Sequence, residues 1–465
     1  MKLRFAVLFG NRGFFPGEVV ASARKEMSEA LEKAGIEPVL MDAGLTHFGA
    51  VESLKEAYLF KDFLKKERPD GIVVCLPNFG DETAIAVACQ DAGVPIIVQA
   101  YPDKEGEMDP AHRRDAFCGK LSLMDVFYQY HIPFTIGQEH VVHPADEVFI
   151  REMKDFAGVC RVVKGLRRCR LGALGARVTA FKTVRYDELA LQKAGISVET
   201  IDLSEVIDRI KAIDSGSKEV AERLKMIESY TDCSKAPRSS LVSQAKLAIV
   251  LDQYIEELHL DVFAIRCWNE LEIQTQCAPC TVMSMLGEQR RIQVACEMDV
   301  TNAIMMRALS LASDAPSSVL DWNNNYRKDA DKCILFHCGP VPVSMQCDKG
   351  EMVEHPMFRK SYGAGCGWGP LQSRLKPGAI TLSSAKTEDG KISCYAFDAE
   401  ILDKEIERNY FGVYGVAQIA NLQEKLAYFG HHCYRHHVTI TDGHVARIVK
   451  EACGRYLGYT CVDLP

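Results

Sequence analysis

The chain has 465 residues, a formal net charge of -8 and no basic block, which disfavours nucleic acid as its main partner, because phosphate neutralisation needs clustered Lys and Arg. An apolar share of 47% and a charged share of 25% are those of an ordinary soluble protein, and no apolar run approaches the roughly 18 residues that cross a bilayer, so no membrane role is expected. With no secretion signal at the N-terminus, the eighteen cysteines read as reduced, cytoplasmic thiols.

At roughly 150 residues per domain the length fits three. Residues 1–160 alternate strand and helix patterns: LRFAVLFG, an amphipathic helix closed by Gly35, IEPVLMDAG, SLKEAYLFKDFLKKE, GIVVCLP, DETAIAVACQDAG and VPIIVQAYP. This is the signature of a doubly wound, Rossmann-like parallel sheet. The first turn, FGNRGFFPGE, has no GxGxxG, which disfavours a dinucleotide. The alternation restarts at CRLGALGARVTAF, so a second α/β domain is expected over residues 161–330. From 331 to 465, KCILFHCGPVPVSM, GAITLSSAKTEDGKISCYAFDAEIL and RHHVTITDG read as strands joined by EDG and TDG turns, a β-rich third domain.

Two predicted strand ends carry candidate chemistry. The apolar run Val262 to Ile265 breaks into Trp268, Asn269 and Glu270, and the run Ile292 to Cys296 stops at Glu297 and Asp299. Ligands of open α/β sheets bind beyond the carboxyl ends of strands, although such acids can also serve only as helix caps. Five histidines cluster in GHHCYRHHVTITDGH, where His431 and His432 read as loop residues and His437 begins a strand; His337 stands at another strand end, in FHCG. Glu270, Glu297, Asp299, His337 and His437 together suit a divalent ion that polarises a carbonyl and an adjacent hydroxyl while a carboxylate moves a proton. Such an oxygen-rich set favours manganese or magnesium over zinc. There is no GxSxG or P-loop to support a hydrolase or kinase.

ACEMDVTNAIMM, together with IRCWNEL, APCTVMS, FHCG, LKPGAITL and RHHVTITDGHV, resembles the L-fucose isomerase and L-arabinose isomerase superfamily, in its short fucose isomerase-like branch. The resemblance implies two α/β domains, a barrel-like C-terminal domain, and aldose–ketose isomerisation through a cis-enediol with Mn2+ or another divalent ion such as Mg2+ or Co2+. It also implies a homotrimer or homohexamer with the site near a subunit interface. Asp299 and His437 resemble metal ligands, joined here by Glu297 and His337, and Glu270 with Asp299 is the expected acid/base pair, with Glu272 as its alternative base. Arg12, Trp268, Asn269 and His436 are expected beside the monosaccharide, Arg12 being lent to a neighbouring subunit because its turn has no obvious partner in its own domain. The branch also resembles isomerases of sulfoquinovose, a sulfonated glucose, for which Arg12, Arg266, Arg374 and Arg435 are candidate anchors. A non-catalytic sugar-binding or regulatory relative is the alternative.

Overall fold

Apolar runs flanked by amphipathic helices leave the first third of the chain one economical solution, a parallel sheet covered on its faces. A computed structural model describes residues 2–406 and 410–465 of the protein, which divide into two compact units, Met1–Lys164 and Gly165–Pro465. In the first unit, β1 (Arg4–Phe9), β2 (Glu37–Leu40), β3 (Gly71–Leu76), β4 (Ile96–Ala100) and β5 (Thr135–Ile136) form one parallel sheet in the order β2-β1-β3-β4-β5. Local chemistry sets the helix starts. Ser53 and Glu56 form a capping box before helix Leu54–Glu67, and Asp81 caps Glu82–Cys89.

Helix Ala116–Gln129, which the sequence pattern does not announce, buries Lys120, whose Nζ donates to the His140 carbonyl at 2.8 Å. Burial lowers this amine from its ordinary 10.5 to about 8. Between those values the unfolded chain holds the extra proton, so folding stability rises with pH across that window, while below it both states are charged and the contribution is flat. Lys120→Met should flatten that rise when denaturant midpoints are compared across the window; an unaltered slope would assign the effect to another group.

The second unit holds two sheets. β6 (Cys169–Leu174), β7 (Ile196–Ile201), β8 (Val262–Ile265) and β9 (Gln293–Cys296) form a parallel sheet in the order β7-β6-β8-β9. The other contains β10 (Ser317–Asn325), β11 (Lys332–His337), β12 (Glu351–Glu354), β13 (Trp368–Arg374), β14 (Gly378–Glu388), β15 (Lys391–Leu402), β16 (Val413–Gln418), β17 (His437–Asp442) and β18 (Thr460–Cys461). Within it, β16-β11-β10-β17-β14-β15 is an antiparallel series in which β15 pairs back with β16. The series therefore closes, and a barrel leaves no unpaired edge along these strands. The EDG signal marks the β14–β15 turn, where Asp389 and Gly390 both take positive φ, as a tight hairpin requires.

Helix Val300–Ser313 joins the two sheets. It packs on β8 and β9 and also on β10, β14 and β17, and it is buried almost all round, with its few polar residues such as Thr301 and Asn302 hydrogen-bonded inside. The barrel draws β10 from chain before residue 330, so the division into 1–160, 161–330 and 331–465 remains a proposal about folding units.

Candidate active site

The four-stranded sheet delivers the first acid. β8 and β9 are parallel neighbours with Ile265 opposite Cys296, so their carboxyl ends lie side by side, and Glu297 is the next residue after β9. Glu297 and Met298 both have positive φ, 60° and 63°. Two consecutive non-glycine residues in the left-handed region are held there by their surroundings, a form of local strain that concentrates at functional corners. The Trp268 indole N–H donates to Glu297 Oε1 at 2.9 Å.

The barrel delivers the rest. β10 lies between β11 and β17; Asp321 is registered opposite His437 on one side and opposite Phe336, the neighbour of His337, on the other. Three adjacent strands thus bring Asp321, His337 and His437 together, with ligand-type atoms mutually within 4.8 Å. His437 Nε2 lies 3.1 Å from Glu297 Oε2 and 3.5 Å from Asp321 Oδ1. His437 Nε2, Asp321 Oδ1 and His337 Nε2 are all buried and in no hydrogen bond among the described residues. Buried polar atoms without partners are costly, and three of them converging on one spot mark a place built for something else. The glycine of FHCG is dictated by the neighbouring strand: at Gly339 (φ 127°) a Cβ would come within 2.2 Å of the Leu371 nitrogen.

The two buried imidazoles differ in what holds them. His437 Nδ1 faces Asp299 Oδ2 at 2.9 Å, and a carboxylate only accepts, so in the neutral ring Nδ1 carries the proton and Nε2 offers a lone pair. At His337 the Cys338 amide donates to Nδ1 at 3.0 Å, which leaves the proton of the neutral ring on Nε2. Burial opposes charge on His437, but the neighbouring Asp299 and Glu297 carboxylates outweigh it and raise the ring to about 9. His337 is likewise opposed by burial and raised to about 10 by Cys338 and the nearby carboxylates.

The structure departs from the sequence-based expectation at three places. Asp299 is fully buried, and both its oxygens are occupied by protein donors: Arg435, Thr301 and the Asn302 amide on Oδ1, and the Asn302 side chain and His437 on Oδ2. It caps helix Val300–Ser313 and has no free oxygen for an ion or a proton transfer. Glu270 is exposed, because helix Glu270–Thr275 turns it outward while Glu272, two residues on, is 1% exposed and faces Glu297 and Cys338. Burial pushes Glu272 up to about 11. Arg12 does have a partner in its own unit, since it pairs with Glu82 and lies 4.2 Å from the Phe79 ring centroid.

Other expectations fall beside the cluster. Half-exposed His436 stands 3.8 Å from Asp321 Oδ1, and Phe181 sets its ring 5.3 to 5.9 Å from those of His436, Trp268 and His437. Asn269 has a buried Oδ1 in no hydrogen bond among the described residues. His431 and His432 are exposed at the end of helix Leu422–His431. Asp321 escaped the sequence reading: SSVLDWNNN shows neither alternation nor a long apolar run, and the only signal was an acid following Val-Leu.

Residues 6–167 match the N-terminal domain of fucose/sulfoquinovose isomerase, and residues 335–464 match the C-terminal domain of L-fucose isomerase. A sulfoquinovose isomerase of Alkalicoccus urumqiensis is 23% identical over 343 residues, covering 72% of this chain and 73% of that protein. Another, of Priestia aryabhattai, is 22% identical over 414 residues, covering 88% of each. A periplasmic sugar binding protein of Legionella pneumophila covers 66% of this chain and 86% of its own at 12% identity, with a TM-score of 0.17 that bears on neither fold nor function. Two domain matches that together span more than half of the chain, and relatives aligned along most of its length, place the protein in the fucose/sulfoquinovose isomerase family, as an isomerase.

Proposed function

We propose that the protein is a metal-dependent aldose–ketose isomerase whose divalent ion is held by Glu297, Asp321 and His437, and that its sugar carries a sulfonate, as sulfoquinovose does. The observation that carries this is the convergence of unpartnered buried atoms around His437 Nε2. Two carboxylates and one imidazole are an oxygen-rich donor set that fits Mn2+, Mg2+ or Co2+. A bound ion would polarise the C1 carbonyl and the C2 hydroxyl of an aldose.

The chain's own groups move the protons. Burial opposes ionisation of Glu297, but His437 and His337 outweigh it and hold the carboxyl below its usual range, so Glu297 is an ionised base. It takes the proton from C2 and returns it to C1, while the hydroxyl proton passes from O2 to O1 beside the His337 Nε2–H. The carbonyl thereby moves from C1 to C2 with no atom gained or lost. Glu272, protonated at neutral pH, cannot be the first acceptor. Phe181 and Trp268 form an aromatic wall that limits water at the site.

Of the four candidate sulfonate anchors, Arg12, Arg374 and Arg435 are each paired with a carboxylate, Glu82, Asp403 and Asp299 in turn. Among the described residues Arg266 donates only to the Trp268 carbonyl, at 3.3 Å, and it follows β8 two residues before Trp268. Arg266→Gln should lower kcat/KM for a sulfonated aldose by on the order of 100-fold, the scale of a charge-assisted hydrogen bond, and leave a neutral aldose little changed. Equal losses on both sugars would remove Arg266 from sulfonate recognition.

The reading is tested by offering sulfoquinovose, L-fucose, D-arabinose and L-rhamnose to protein with added manganese, and again after chelation. Ketose from sulfoquinovose, lost on chelation, is expected. Turnover of neutral sugars alone would overturn the substrate, and no ketose from any of them would overturn the activity. The proposal includes a homotrimer or homohexamer, supported by Phe117, Leu121 and Tyr128, which leave 55%, 52% and 78% of their surface exposed along helix Ala116–Gln129. A monomeric mass in solution would contradict it.

A further inference from the structure

We infer that Asp299 is a positioning residue, and that the buried chain Arg435, Asp299, His437 fixes the ring of the metal ligand from behind. The inference rests on the metal-centred reading above. His437 Nδ1 meets Asp299 Oδ2 at 2.9 Å, on the side of the ring away from Glu297 and Asp321. Arg435 pairs with the other oxygen, Asp299 Oδ1, and the side chains of all three residues are 3% exposed or less.

The arrangement restricts Asp299 in two directions. Its place at the start of helix Val300–Ser313 ties Oδ1 to the Asn302 amide at 3.2 Å, and the Asn302 side chain holds Oδ2 at 2.8 Å. The carboxylate plane is therefore set by the helix, and the imidazole must turn to meet it. Arg435 and His437 lie two residues apart around the start of β17, so the same strand end supplies two of the donors that grip Asp299. An acceptor-only partner at Nδ1 selects the tautomer whose Nε2 lone pair faces Glu297 and Asp321. Such outer partners of a ligating histidine are worth 10–100-fold in metal affinity.

Asp299→Asn keeps the shape but leaves one acceptor oxygen where donors converge on two. Manganese titration of the folded variant by calorimetry should show affinity weakened by about 10–100-fold. Unchanged affinity in a variant with wild-type circular dichroism would overturn the inference. Because loss of a buried carboxylate can unfold the chain, the second arm is Asp299→Asn with Arg435→Gln, whose amide can accept and donate in place of the guanidinium; this pair should fold and still bind manganese at least tenfold more weakly than wild type. Long-range proton–nitrogen spectra of metal-free wild type give a reading that needs no ion. Recorded above about pH 9, where the ring is neutral, they should place the His437 proton on Nδ1, and a proton confined to Nε2 would overturn the inference. Wild type that takes up no manganese while showing the Nδ1 proton would instead sink the metal-centred reading and leave the Asp299 contact standing.

Discussion

Asp321→Asn is expected to abolish stoichiometric manganese uptake and to lower kcat/KM by on the order of a thousandfold, because several kcal/mol of charge stabilisation leave with the ion. The residue sits at the middle of the cluster: registered against His437 on β17 and against Phe336, the neighbour of His337, on β11, it offers an oxygen in no hydrogen bond among the described residues. Little structural cost should accompany the change, since its side chain keeps 24% exposure and caps no helix. Metal analysis beside a turnover assay checks it. Full manganese content with normal turnover in the variant would mean that Asp321 is a bystander and that the ion sits elsewhere.

Glu297→Gln should be the second severe change, lowering turnover by about 10²–10⁴-fold, as expected when a positioned base is lost. The amide can still accept from the Trp268 indole at the position of Oε1, so the corner after β9 keeps one of its ties. Glu270→Gln is the control, and because Glu270 points to solvent from the first turn of its helix, turnover within a few-fold of wild type is expected. Should the control lose activity while Glu297→Gln keeps it, the base belongs on that exposed helix and the proton path proposed above is wrong.

Most of the architecture was legible because strand and helix periods differ, and both α/β sheets are built from strands whose apolar runs stand out against amphipathic helices. β8 begins and ends at the residues its apolar run predicts, and β9 starts one residue inside its run. The barrel acid of the proposed metal site was not legible for a physical reason. Asp321 acquires its neighbours through pairings with strands that begin at Lys332 and His437, and no local pattern in SSVLDWNNN encodes a partner more than a hundred residues away.

Asp299 and Glu270 show the other limit. Both stand just beyond strand ends, as the pattern says, but one turns under the sheet to cap a helix and the other turns out to solvent. Strand-end position brings an acid near a cleft; the first turn of the following helix decides whether the carboxylate enters it. The exchange of Asp299 for Asp321 follows from that turn. With Asp299 occupied by Arg435 and His437, the proposed site takes its second carboxylate from another strand.

The most direct test is anomalous scattering at the manganese edge from crystals of the full chain grown with Mn2+. The account predicts one strong peak per chain in the second unit, about 2.0–2.3 Å from Glu297, Asp321 and the His437 Nε2, with Asp299 remaining on Nδ1 behind the ring. A peak coordinated by Asp299, or one bound away from His437, would contradict it.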